Sequence, residues 1–274
     1  MLQKNREAFL SGAAAGIYLS IVYIAPFEKV ISLSELVLQL SGSRGSFSLG
    51  CSLTELIEFM LRMLPNYIVM LVWGSQLYRY FCTASIYVFS RTPKRLEWYK
   101  RTLVPLLGNV CVFKLTLMAA AIFTAMLRYQ VIFTPGGLIL LVCHLAIYIL
   151  WLFGWILLIN LCAMKIGSSS AFATTAGIQM ACTAGLGIVK TLEKLQFSNN
   201  TIERFVAYNP VARTVLGWHR SDLLLTELSG NRYSLSLSST VILLLLFCMA
   251  VVVVGGYLIQ KQDIIVEDIE VGTI

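Results

Sequence analysis

Charged residues are scarce in this chain of 274 residues, and the scarcity sets its class. Only 13% of the residues are charged against 58% hydrophobic, and the mean hydropathy is +0.78. Soluble domains carry about 25% charged residues, so the composition excludes an ordinary soluble domain. A net charge of +7 is also found in proteins that bind nucleic acid. In so apolar a chain we expect the cations to set topology and contact membrane lipid, with no nucleic acid bound.

Patterns that mark catalysis and metal binding are also missing. The seven Cys are scattered without a CxxC pair, and there are only two His, which predicts neither a metal site nor a disulfide framework. Neither GxxxxGK[ST] nor HExxH occurs, and no Ser/His or paired-carboxylate arrangement suggests a catalytic centre. We therefore expect no catalytic residue and no cofactor in this chain. An intramembrane enzyme is the least favoured class.

Continuous apolar runs are the main feature of the sequence. Six segments approach or exceed the roughly 20 residues that cross the hydrocarbon core as a helix. They lie at approximately residues 9–25, 65–81, 103–127, 137–164, 169–188 and 237–259. Since the runs lack the alternation of a membrane barrel, the sequence predicts an all-α membrane protein, with residues 1–274 forming one domain of six transmembrane helices.

Basic residues predict the orientation of these helices. With the N-terminus inside, the short inner segments 1–8, 82–102 and 164–168 hold eight Lys and Arg against two acids. The long outer loops, 26–64 and 189–236, hold nine against eight. Because cations accumulate on the cytoplasmic side, we expect both termini to be cytoplasmic in a multi-pass protein of the plasma membrane.

The outer loops contain amphipathic pieces. Residues 51–66, CSLTELIEFMLRMLPN, predict a helix that lies along the outer interface before Pro65. The last loop predicts two further pieces separated by a turn at Tyr208, Asn209 and Pro210, because Asn before Pro is disfavoured in a helix.

The densest cationic stretch is SRTPKRLEWYKRT at residues 90–102, with five of the chain's 21 Lys and Arg. One interpretation is an anchor that only fixes topology. The interpretation we favour is a short transverse helix that begins near Pro93 and docks a cytoplasmic partner, since Trp, Tyr and Arg often anchor interfaces. The candidate docking residues are Arg91, Pro93, Lys94, Arg95, Trp98, Tyr99 and Arg101.

Four of the polar residues inside the apolar runs are candidate functional or packing sites: Lys114, His144, Asn160 and Gln179. Lys114 lies near the middle of the third run, where a charge costs about 2.5–3.5 kcal/mol. It is either a residue of a substrate pathway or a lysine paired within the bundle. His144 in the fourth run has the same two interpretations, and a neutral, hydrogen-bonded histidine is the favoured one. Asn160 and Gln179 predict hydrogen bonds between helices.

The layout resembles the permease subunits of type-2 exporter-class ABC transporters. YVFSRTPKRLEWYKR at 87–101 is similar to the coupling segment of bacterial members that export peptides or antibiotics. Asn209-Pro210 lies where such permeases carry Asn-Pro, and YLIQKQDI at 257–264 resembles their exit from the last span.

The resemblance implies a coupling helix, a separate ABC-type ATPase that binds ATP and Mg²⁺, and a second permease subunit, identical or homologous. It also implies an amphipathic cargo such as an antimicrobial peptide and a place in the bacterial plasma membrane. The alternative from a different class is a scaffold or sensor subunit that docks a cytoplasmic partner and transports nothing.

Overall fold

The computed structural model describes residues 2–26, 29–42, 53–87, 95–189, 195, 198–220 and 235–261. Four helices in these ranges are long and apolar enough to cross a membrane, at Leu56–Cys82, Arg95–Arg128, Pro135–Ile166 and Leu237–Lys261. The predicted class of helical membrane protein is thereby confirmed.

Helices cover all six predicted segments. In chain order the helices of the described ranges are α1 (Leu2–Tyr23), α2 (Leu33–Leu40), α3 (Leu53–Gly74), α4 (Gln76–Tyr87), α5 (Arg95–Arg128), α6 (Pro135–Ile166), α7 (Ser168–Gly187), α8 (Asn199–Tyr208) and α9 (Leu237–Lys261). Helices α1 and α7 have 22 and 20 residues. They are long enough to cross a membrane but are less apolar than the four helices named above. Lys4, Arg6 and Glu7 lower the mean hydropathy of α1, and the many Ser, Thr and Gly residues lower that of α7.

The predicted interfacial helix is continuous with the first part of the second apolar run, residues 65–74. Helix α3 begins at Leu53 and continues through Pro65, so the prediction of a separate helix before this proline was wrong. The span is broken further along, at Ser75, where α3 has ended and α4 has not begun. Proline is tolerated in membrane helices because neighbouring groups satisfy the freed backbone atoms.

The cationic stretch is likewise continuous with a span. Its second half, from Arg95, forms the first turns of the 34-residue helix α5, and residues 88–94 lie outside the described ranges. The transverse helix was predicted to begin near Pro93 and to be separate from the span; in its described part, from Arg95, that separation was wrong. Leu96, Tyr99 and Leu103 continue the helical spacing of apolar residues from the span toward its N-terminal end. These turns and the span therefore form a single helix.

Helices α1 and α5 run parallel in close contact. A Cβ atom added at Gly12 would overlap the Thr116 side chain, and one added at Gly16 would lie 2.9 Å from the Ala120 Cβ. Small residues four positions apart allow such close backbone approach in membranes. The segments that follow the two helices pair as short parallel strands, β1 (Val30–Ser32) with β2 (Gln130–Ile132). The sequence patterns did not predict this pairing.

Helix α6 is the centre of the bundle and contacts α2, α3, α4, α5, α7 and α9. It begins at the N-cap Thr134, whose hydroxyl accepts a hydrogen bond from the Gly137 N–H (3.1 Å), with Pro135 in the first turn. Trp151, Leu152 and Ile156 are completely buried along it. The polar residues of the membrane region gather around this helix.

Candidate functional site

A lysine cluster, made of Asn66, Lys114, His144 and Tyr148, joins α3, α5 and α6. Lys114 is 3% exposed, and its ammonium donates a hydrogen bond to Asn66 Oδ1. The same ammonium lies 4.8 Å from the centroid of the Tyr148 ring, a cation–π distance. No carboxylate of the described residues lies within ion-pair distance of Lys114. The predicted position inside the protein is confirmed, and the cation is held by an amide and an aromatic face.

His144 belongs to the same cluster. Its ring lies 4.3 Å from that of Tyr148, one helical turn along α6. His144 Nδ1 is buried, and no group of the described residues bonds to it. The sequence favoured a neutral, hydrogen-bonded histidine, but the structure leaves this nitrogen without a bond. A buried nitrogen in this state is able to accept a hydrogen bond from a molecule that enters the bundle.

The lysine cluster predicts that the effect of changing Asn66 on stability depends on the residue at position 114. Replacing Asn66 with Leu is expected to destabilise the protein by roughly 2–3 kcal/mol, because a buried ammonium loses its acceptor. Adding Lys114→Met should recover most of the loss, since methionine fills the space without a charge. Thermal unfolding of the two single variants and the double variant in detergent micelles tests this. Single losses that simply add in the double variant would contradict it.

A second buried cation lies on α3 and was missed by the sequence analysis. Arg62 is 5% exposed and pairs with Glu58 one turn earlier (Nη2 to Oε1, 3.1 Å). Its guanidinium also donates to the Gln39 carbonyl oxygen and lies 4.4 Å from the Tyr23 ring centroid. Arg62 thereby ties α3 to α1 and α2. The Glu58–Arg62 spacing was the available signal, but it reads equally well as a solvated pair on a helix surface.

Four of the seven predicted docking residues lie in the described part of the chain, and they differ in exposure. Arg91, Pro93 and Lys94 lie outside the described residues, Arg95 is half-buried, and Arg101 is exposed together with Lys100. The two aromatic residues are directed into the bundle. At this end of α5 the exposed cations are therefore more accessible from outside the bundle than the two aromatic rings.

Trp98 and Tyr99 instead hold the first turns of α5 against other helices. The Trp98 ring packs edge-on against Phe81 of α4, with centroids 6.1 Å apart. Tyr99 is 1% exposed, and its hydroxyl donates to the Val252 carbonyl oxygen of α9 (3.3 Å). A Cβ atom at Gly255 would overlap that hydroxyl, so the glycine makes room for it. The charged end of α5 is thus joined to both α4 and α9.

Asn160 of α6 holds the break at Ser75. Its Oδ1 accepts hydrogen bonds from the Leu77 and Tyr78 N–H groups (2.7 and 3.2 Å). Its Nδ2 donates to the Trp73 and Ile156 carbonyl oxygens (2.9 and 2.8 Å). One completely buried amide therefore serves both helix ends at the break, which confirms the prediction of an interhelical hydrogen bond.

The predicted turn at Tyr208, Asn209 and Pro210 is confirmed, since α8 ends at Tyr208. Tyr208 is 83% exposed and Pro210 is half-buried. Asn209 is buried and fixes the turn: its Oδ1 accepts from the Val211 N–H (2.9 Å), and its Nδ2 donates to the Cys182 carbonyl oxygen of α7 (2.8 Å). The turn thus attaches the last loop to the bundle.

An outer latch follows this turn and consists of Arg213, His219 and Thr240. His219 Nδ1 donates to the Val215 carbonyl oxygen (3.0 Å), so in the neutral ring Nε2 accepts from the Thr240 hydroxyl (3.0 Å). Arg213 Nη1 donates to the same hydroxyl (3.1 Å). Thr240 lies in the first turn of α9. The latch therefore clamps the last loop onto the last helix, a role that no sequence spacing revealed.

The outer latch predicts that the protein loses stability in acid. Burial first, and then the charge of Arg213, lower the pKa of His219 from 6.5 to about 4, against hydrogen bonds to the Val215 and Leu216 carbonyls that raise it. Below pH 6.5 the unfolded chain binds a proton that the folded ring refuses. Stability is therefore expected to fall by about 3 kcal/mol as the pH drops from 6.5 to 4.

The test is the unfolding temperature measured from pH 7.5 to pH 4 for the native chain and for His219→Gln. The variant should lose part of the slope, because glutamine has no titrating group. An identical slope in both proteins would place the acid sensitivity elsewhere.

Comparison of the chain with protein-family models, curated proteins and solved structures finds no match. Among the described residues no group of three or more His, Cys, Asp or Glu is placed to hold a metal ion. The described residues therefore provide three candidate functional features. These are a buried lysine, a histidine nitrogen without a hydrogen bond, and a cationic helix end that packs against the bundle.

Proposed function

We propose that this chain is the permease subunit of a bacterial ATP-driven exporter of the type-2 ABC class. It moves an amphipathic substrate, such as an antimicrobial peptide, out of the cell or the membrane. A separate ABC-type ATPase binds ATP and Mg²⁺, and a second permease subunit completes the pathway. The apolar composition, the four membrane-length helices and the absence of a nucleotide-binding loop from the sequence support this division of labour.

The proposal includes a topology of six crossing helices in the plasma membrane, with both termini in the cytoplasm. Helices α1 and α7 are the least apolar of the six. Each packs against longer apolar helices, α1 on α5 and α7 on α6 and α3, and such neighbours shield small and polar residues from lipid.

The observation that carries the proposal is the junction at the start of α5. Lys100 and Arg101 are exposed there, while Trp98 contacts α4 and Tyr99 contacts α9. A force applied to the exposed cations reaches three helices at once. A coupling element needs this combination of accessible charge and rigid attachment.

In this proposal the lysine cluster lies on the substrate pathway. Lys114 lies on the same helix as the exposed cations, 14 positions before Arg128 at its other end. Movement of α5 relative to α3 and α6 would separate Lys114 from Asn66 and Tyr148. A buried cation and the open nitrogen of His144 would then face polar groups of the cargo.

The test is copurification and transport with the full chain in mild detergent and in vesicles. The double variant Lys100→Glu/Arg101→Glu should retain at least about tenfold less ATPase than the native chain, since it sets like charges against the docking surface. Arg6→Glu, an exposed charge reversal at the start of α1, is the control and should copurify normally. ATP-driven movement of a labelled antimicrobial peptide is measured on the same preparations.

Three outcomes separate the hypotheses. Loss of ATPase and of peptide movement in the double variant alone supports the coupled exporter. If the double variant retains the ATPase, the cations of α5 serve only to fix the topology of the chain in the membrane. A cytoplasmic partner without ATP-driven movement identifies the chain as a scaffold or sensor subunit.

A further inference from the structure

A groove of about 460 Å³ runs between α6 and α9 on the outside of the bundle. Its floor is apolar, with Leu158 and Cys162 from α6 facing Ala250 and Val254 from α9. It extends along α9 from Phe247 to Leu258, which is about 16 Å at 1.5 Å per residue. It is an open groove, with the small side chain of Ala250 along its length and the bulky Phe247 at one end.

A cation marks the opposite end of the groove. Lys165, in the last turn of α6, contributes to the lining and is exposed. Lys261 lies in the last turn of α9, with its ammonium 4.9 Å from the ring centroid of Tyr257. None of the described residues that line the groove is Asp or Glu. An apolar groove that ends at a lysine matches an amphiphile with a hydrocarbon chain and an anionic head.

We propose that this groove is a binding site for an anionic phospholipid. One acyl chain lies between α6 and α9, and the phosphate pairs with Lys165, with Lys261 contributing to the local positive potential. Basic sites between membrane helices are suited to anionic head groups. The site is separate from the lysine cluster and does not depend on the transport function.

The cation at one end of the groove favours a lipid over a helix of a second copy. The six apolar runs of this chain contain no Asp or Glu that could pair with Lys165, whereas an anionic lipid carries a phosphate. A single extended hydrocarbon chain is narrower than a helix. The groove also continues to a charged end, where an acyl chain carries its phosphate.

Native mass spectrometry of the full chain tests the site, with defined phosphatidylglycerol or phosphatidylcholine added to the detergent. We expect the native chain to bind phosphatidylglycerol about fivefold more tightly than phosphatidylcholine. Lys165→Gln should remove most of that preference. Ala250→Phe should lower the binding of both lipids, because it fills the groove. Arg6→Gln removes an exposed cation away from the groove and should leave both affinities unchanged.

Equal binding of the two lipids by the native chain, or an unchanged preference in Lys165→Gln, would overturn the proposal. So would a chain dimer that disappears in Ala250→Phe while lipid binding persists, because the groove would then be a contact between copies. Lys165→Gln changes an exposed side chain, so its result stands even if Ala250→Phe does not fold.

Discussion

Replacing Asn160 with Ala is expected to destabilise the protein by roughly 3–5 kcal/mol. The change removes four hydrogen bonds, among them those to the Leu77 and Tyr78 N–H groups and to the Trp73 carbonyl. Each unsatisfied buried group costs about 1–3 kcal/mol, and no water replaces the amide in a membrane interior. The loss concentrates at the break between α3 and α4.

A second buried amide provides the matched control. Gln179 of α7 is also completely buried, but its Oε1 has no partner among the described residues. Its Nε2 makes a 3.7 Å contact with the Met70 sulfur. Gln179→Leu removes an unsatisfied group and is expected to change stability by less than about 1 kcal/mol. Both variants are compared by thermal unfolding in the same detergent, and similar losses would refute the assigned role of Asn160.

Replacing Gly16 with Val is expected to separate α1 from α5 and to destabilise the protein by about 3 kcal/mol. The new Cβ would lie 2.9 Å from the Ala120 Cβ and 3.0 Å from the Ala121 backbone nitrogen. Backbone atoms cannot rotate away, so the helices must move apart and lose their contact. The loss of packing outweighs any gain in helix propensity over glycine.

Gly177→Val is the control for this change, because a Cβ at Gly177 of α7 meets no atom within 4 Å. This variant should unfold within about 1 kcal/mol of the native chain. Crosslinking between cysteines introduced at Ile21 and Arg128, which lie together at the ends of α1 and α5, reports the separation directly. Undiminished crosslinking in Gly16→Val would contradict the prediction.

The positions of the helices followed from apolar runs because the membrane allows few alternatives for the backbone. Breaks and junctions did not follow, since they depend on partners distant in sequence. The sequence placed an end at Pro65, yet the helix continues there and breaks at Ser75, where Asn160 of another helix serves the free backbone groups. A local pattern contains no information about an amide 85 positions away.

The candidate sites also contain residues whose position the sequence predicts and residues whose position it does not predict. Lys114 could be assigned to the protein interior because a charge in an apolar run has to avoid lipid. Its partner Asn66 could not, since the choice of acceptor depends on how α3 and α5 pack. Tyr99 looked available to a partner because an aromatic residue among cations is typical of interfaces, whereas the space left by Gly255 takes it into the bundle.

The parallel packing of α1 on α5 has a consequence for biosynthesis. The ribosome completes α1 early, but the surface that receives Gly12 and Gly16 lies about 100 residues later in the chain. At 5–20 residues per second this is a delay of roughly 5–20 seconds. During that interval a weakly apolar helix has no partner, so the cell's insertion machinery has to retain or protect it. Membrane integration of this protein is therefore expected to be completed late, after α5, the second of its four long apolar helices, has emerged.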